Sequence, residues 1–116
     1  MTIRRIGSGK RMSQAVVHNG TIYLAGQVAF NAPAASAAEQ TKDILAAIDK
    51  LLTEAGSDKS KLLSAVIWLA DMRDYDAMNS VWDAWVAPGH APARACVEGR
   101  LAFPKYTVEI MVTAAL

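Results

Sequence analysis

Hydrophobic positions change their period along this chain, and each change marks an element. VVH and TIYLAG flank Asn19-Gly20, a pair that tolerates positive φ at both centres of a tight turn and signals a hairpin. Strands are predicted near 14 to 18 and 21 to 27. After the small-residue stretch NAPAASAA, Ser36 and Glu39 have the spacing of a capping box, in which each side chain satisfies the other's free backbone N–H. Ile44, Ala47, Ile48, Leu51, Leu52 and Ala55 then recur at helical spacing. Gly56 is a natural left-handed stop, so a one-sided helix is predicted over 37 to 55.

SAVIWLA, at 64 to 70, is an unbroken apolar run, short for a helix and rich in strand formers. It predicts a mid-sheet strand covered on both faces. Asp74 is placed to cap a second helix over 75 to 87, because Met78, Val81, Trp82 and Trp85 fall at i, i+3, i+4 and i+7 before Pro88-Gly89. That stripe reads as core, since a helix held by tertiary packing needs one apolar face. Two more strands are predicted near 93 to 101 and 105 to 114. The order β, β, α, β, α, β, β, without repeat or linker, gives an α+β layer in a single domain over residues 1 to 116. Two helices cover only one face of such a sheet, whereas the strands at 64 to 70 and 106 to 114 are apolar on both sides. Copies of the same chain are therefore expected to cover the second face in a closed homo-oligomer.

Composition narrows the function classes. Hydrophobic residues make up 53% of the 116 positions and charged residues 20%, which excludes a disordered tail, a collagen or a polycation. Twelve basic against eleven acidic residues leave a formal charge of +1, and no run of like charge exceeds a pair. Nucleic acid is disfavoured as a partner on that ground. Cys96 is the single cysteine, so a reducing compartment is expected. No apolar stretch has signal-peptide length or approaches the roughly 18 residues of a membrane span. These features together predict a soluble, cytoplasmic protein with no membrane partner.

Most familiar motifs fail. Gly7-Ser8-Gly9-Lys10 resembles part of a phosphate loop, but Arg4 occupies the first glycine position and Arg11 the magnesium-binding hydroxyl position. It reads as a flexible loop. His18 and His90 are far apart, Cys96 is solitary, and no HExxH or paired-cysteine spacing occurs, so no metal is expected. No GxSxG elbow exists, and His18, beside the hairpin, reads as a solvated turn residue.

One constellation survives. Alternation places Arg94, Cys96 and Glu98 on one face of their strand and Ala95 and Val97 on the other. In YTVEIMVTAA, Tyr106, Val108, Ile110 and Val112 share a face, leaving Glu109 opposite with Thr107, Met111 and Thr113. Two readings stay open: Arg94 and Glu109 neutralise each other across neighbouring strands, or they belong to a site. Gly26, alone inside a strand, marks a bulge or a close approach to the backbone.

The run Ser13-Gln14-Ala15 through Ala25-Gly26-Gln27, then LADMRDYDAMN, PARACVE and VEI, resembles the Rid family of reactive-intermediate deaminases, also called YjgF-like. With WDAWVAPGHAP and FPKY, the chain most resembles the YoaB-like branch. The resemblance implies a chorismate-mutase-like mixed β-sheet with two helices on one face, and a homotrimer whose sheets form a central barrel with clefts between subunits. It implies cofactor-free hydrolysis of short-lived enamines and imines, such as 2-aminoacrylate, to 2-oxo acids and ammonia. By the same resemblance, Arg94 holds the substrate carboxylate and Glu109 positions water. Cys96 walls the cleft, Gly26 offers a backbone contact, Asn79 is a polar cleft residue, and Met12 stands where many members have a ligand-contacting tyrosine. Met111 replaces a second family glutamate. Cys96 as a nucleophile is disfavoured, because imine hydrolysis needs no covalent intermediate. A non-catalytic trimeric binding protein for small 2-oxo or carboxylic acids is the alternative. RNA cleavage, associated with some relatives, runs against the near-neutral charge.

Overall fold

At the first turn, Asn19 (φ 57°) and Gly20 (φ 79°) both take left-handed conformations, as a tight hairpin with right-handed strand twist requires. The computed structural model describes residues 2–116. The hairpin joins β2 (Ala15–His18) to β3 (Thr21–Leu24). The helix α1 (Ala37–Ala55) follows, and Gly56 at φ 92° ends it. Then come β4 (Leu62–Leu69), α2 (Tyr75–Trp85), β5 (Ala93–Glu98) and β6 (Val108–Ala115). An N-terminal strand, β1 (Arg4–Ile6), precedes them. All six strands form one sheet in the order β1-β2-β3-β6-β4-β5. Only β4 and β5 are parallel, and α2 supplies the crossover such a pair needs. The other pairings are antiparallel.

The α+β expectation holds, with both helices packed into one core. Ile44, Ile48 and Leu52 of α1 and Met78 and Trp82 of α2 bury against Ile22, Ile67, Val108, Ile110 and Val112 of the sheet. Across the sheet, Ile67 is registered with Ile110 and Ala65 with Val112, so one face is closed. On the opposite face, Tyr23, Val97 and Met111 are exposed, and Val66 and Trp68 only half-buried. Strand β4 lies between β6 and β5 as expected of a mid-sheet strand, but its second face is not closed by this chain. No helix among the described residues is long and apolar enough to cross a membrane.

Several local expectations are corrected. Residues 4–6 pair with 15–17 as an edge strand, ahead of the loop that begins at Gly7. Asp74 occupies the position before α2 but makes no side-chain cap; Asp71 instead accepts from the Arg73 N–H at 2.9 Å in the turn Met72–Asp74. The capping box is half-formed. Ser36 Oγ accepts from the Glu39 N–H at 3.2 Å, while the Glu39 carboxylate turns outward to Lys42 at 3.4 Å. The α2 helix stops at Trp85, and β5 stops at Glu98 because the chain turns away through 99–107. His18 is half-buried in β2, with Nδ1 shielded and unpaired.

Three polar ties hold the ends of the layers together. Arg4 Nη2 donates to the Ala55 carbonyl at 2.7 Å, capping an α1 terminus that has no basic residue in its last turn. Ser57 Oγ donates to the Ala115 carbonyl at 2.6 Å. Gln40, with 0% exposure, is the third: its Nε2 donates to the carbonyls of Ala35 (3.1 Å) and Lys105 (3.0 Å), and its Oε1 accepts from the Thr107 N–H at 2.9 Å. It thereby fixes the approach to β6 two residues before Glu109. Gln40→Leu keeps the volume but leaves buried backbone groups unpaired. It is expected to cost about 2–4 kcal/mol in urea unfolding; a loss below about 1 kcal/mol would show that water replaces the amide.

Candidate functional site

On the outer strand β5, Arg94 is registered with Ala65 and Cys96 with Ile67, both core positions. Both side chains therefore point to the helix side of the sheet, where α2 receives them. Arg94 Nη1 donates to Asn79 Oδ1 at 2.7 Å, and Nη2 donates to the Tyr75 hydroxyl at 3.3 Å. Its Cζ lies 5.4 Å from the Trp82 ring and 5.9 Å from that of Tyr75, within cation–π range. A guanidinium has five N–H donors, so most of the fork is not engaged by these two bonds. Burial pushes the Cys96 thiol up, and the positive charge of Arg94 offsets this only in part. Cys96 is a protonated wall beside Arg94, not a poised thiolate.

Glu109 belongs to a second group. On β6 it is registered with Trp68, whereas its neighbours Val108 and Ile110 are in the core. It therefore points to the open face. Against it lies Gly26, where a Cβ would collide with the Glu109 carboxylate. Three residues separate Tyr23 from Gln27, but only two separate their partners Thr113 and Ile110. Segment 24–26 is thus a bulge, and both sequence readings of Gly26 hold. Gln27 pins it: Nε2 donates to Gln14 Oε1 and to the Ala25 carbonyl, each at 3.0 Å. Burial raises the Glu109 carboxyl above its ordinary range. No hydrogen bond or ion pair among the described residues engages it. Met12, 47% exposed, lies in the loop that leads to Gln14.

The candidate residues thus fall into two sets on opposite faces: Arg94, Cys96 and Asn79 with α2, and Glu109 and Gly26 at the bulge. Mutual neutralisation of Arg94 and Glu109 is excluded within this chain, because β4 separates β5 from β6 and the two side chains leave the sheet on opposite sides. Tyr75 is the residue that sequence reasoning missed. Its spacing to Asn79 and Trp82, i, i+4 and i+7, was the available signal, but the adjacent apolar stripe masked it.

Residues 2–116 match the family model described as Endoribonuclease L-PSP. The chain is 51% identical over 116 residues to the RutC family protein YoaB of Escherichia coli, covering 100% of both. The chain belongs to the Rid family, also called YjgF/RutC. Another RutC family protein, from Haemophilus ducreyi, is 46% identical over 114 residues, or 98% of this chain and 97% of that protein. A YjgF-family crystal structure from Neisseria meningitidis superposes with a TM-score of 0.96 at 57% identity, covering 99% of this chain and 95% of the other. The family resemblance read from the sequence is borne out, including its YoaB-like leaning.

In this Rid chain, Gly26 has no left-handed φ; space for the carboxylate, not backbone freedom, calls for glycine there. Gly26→Ala is therefore expected to keep its unfolding free energy within about 1 kcal/mol while displacing the flexible end of Glu109. The check is the carboxyl carbon resonance of Glu109, which should move; an unmoved resonance would mean the bulge itself yields.

Proposed function

We propose that the chain is a cofactor-independent deaminase that hydrolyses enamines and imines of 2-oxo acids, such as 2-aminoacrylate, and that it works as a homotrimer. The observation that carries this reading is that strand register aims Arg94 and Glu109 away from each other, so neither is spent on the other: a fork with free donors, and a carboxyl that no hydrogen bond or ion pair among the described residues engages. A planar guanidinium takes a carboxylate through two parallel charge-assisted bonds, fixing the adjacent C=N carbon. Glu109, ionised, orients water toward that carbon.

The sequence of steps is short. Protonation of the enamine's terminal carbon by solvent gives the iminium; water adds to the C=N carbon while one of its protons passes to Glu109. The carbinolamine then collapses as Glu109 returns that proton to nitrogen and the hydroxyl gives up its own proton to solvent, the C–N bond breaks and ammonia departs, leaving the 2-oxo acid. Water is consumed, one C–N bond is broken, and no electron leaves the system. General acid–base assistance of this kind is worth about 10² to 10⁴ in rate.

Opposite faces make the site a product of assembly. Within one chain, Arg94 and Glu109 cannot address one substrate. A neighbour seated on the open face, where Trp68, Val97 and Met111 offer apolar cover, supplies the missing half beside the free edge of β5. The binding-protein alternative retains the Arg94 seat without turnover. An RNA-cleaving role gains no support from a formal charge of +1, since phosphate contacts dominate such affinity.

Freshly generated 2-aminoacrylate supplied to the protein should release ammonia, and Arg94→Ala should lower kcat/KM at least about a hundredfold. Equal rates for the two would end the proposal, whereas tight 2-oxo acid binding without turnover would select the alternative. Co-refolding Arg94→Ala with Glu109→Gln in equal amounts should restore roughly a quarter of the sites, because random assembly then pairs an intact arginine with an intact glutamate. Recovery absent from the mixture would place the site within single chains.

Acidity offers a separate check. The working form of Glu109 is the carboxylate, and burial favours its protonated form. Activity should thus be lost as pH falls through a midpoint above the ordinary glutamate value of about 4.3. Glu109→Gln should be slow and lack that limb; an unchanged limb would assign it to another group.

A further inference from the structure

Tyr75, Asn79 and Trp82 lie at i, i+4 and i+7 on α2 and project as one stripe toward Arg94. The three contacts differ in kind. Asn79 anchors Nη1 firmly at 2.7 Å, Trp82 is a buried ring beneath the cation, and Tyr75 meets Nη2 at 3.3 Å, at the long limit for such a bond. A phenol oxygen that accepts from a guanidinium keeps its own O–H to donate. Tyr75 is 39% exposed, and no acceptor among the described residues takes that proton.

We infer that Tyr75 is a substrate-contacting, specificity-determining residue whose hydroxyl donates to the carboxylate oxygen held by Arg94 Nη2. The inference rests on the reading of Arg94 as a carboxylate anchor. The seat is then formed by three donors, two from the guanidinium and one from the phenol, converging on one anionic group. It takes 2-oxo and 2-imino monocarboxylates, and it discriminates against neutral imines and amides, which offer a weaker acceptor to the same hydroxyl. The long Tyr75–Arg94 contact tightens when an anion bridges the two, as apo contacts in such sites commonly do.

The test compares wild type with Tyr75→Phe, which keeps the ring over Arg94 and removes only the hydroxyl. Calorimetry with pyruvate, the product from 2-aminoacrylate, should show Kd raised about tenfold. In the ammonia assay KM should rise by about the same factor, with kcat within about twofold, since the carboxylate contact is equal in ground and transition states. An unmoved thermal midpoint excludes a folding effect. Unchanged pyruvate affinity, or a fall in kcat at constant KM, would overturn the assignment. If wild type binds pyruvate but releases no ammonia, the deaminase reading falls while the Kd comparison still decides Tyr75. A wild type that binds no pyruvate sinks both.

Discussion

Alternation along a strand forces each side chain to one face, and a slip of one residue would invert them all. In β6 the choice is made by Val108, Ile110 and Val112, whose burial under the helices leaves Glu109 no position except the far side. In β5 the registers Ala65–Arg94 and Ile67–Cys96 bring Arg94 to the helix side. The placement of the charged residues therefore follows from the core, not from attraction between them. The same burial that stabilises the fold keeps an arginine and a glutamate of one chain from quenching each other.

Around Arg94, α2 works as a cradle. A lone guanidinium on an outer strand would lose rotamer freedom on binding; Asn79 and two aromatic rings hold it beforehand. Cys96, two residues on, is small and desolvated, which keeps the wall of the cradle uncharged. Across the sheet, the bulge performs the corresponding task for Glu109 through steric room: a missing Cβ at Gly26 lets the carboxylate rest against backbone.

Much of this is legible in the sequence. The period of Ile44, Ile48 and Leu52 with the stop at Gly56 located α1 to the residue, and alternation separated Glu109 from its apolar neighbours. What escaped was non-local or short. Arg4–Ile6 is a three-residue edge strand, too brief for any period to register. The interior place of β4 is legible in its apolar run, but which strands flank it is not written in spacing, and with that the separation of Arg94 from Glu109 stays hidden. Nothing in the spacing marks Gln40, because two of its three partners lie 65 and 67 residues away. Asp74 is the cap that spacing offers; the turn at Met72–Asp74, capped by Asp71, intervenes before the helix and carries no periodic signal.

Arg4 at the carbonyl of Ala55 and Ser57 at the carbonyl of Ala115 carry one more implication. Although β2 and β3 lie between their strands, β1 and the last residues of β6 are thus tied to one turn beyond α1. That turn acts as a shared clasp, and a change of its backbone path would loosen an edge strand and an interior strand at once.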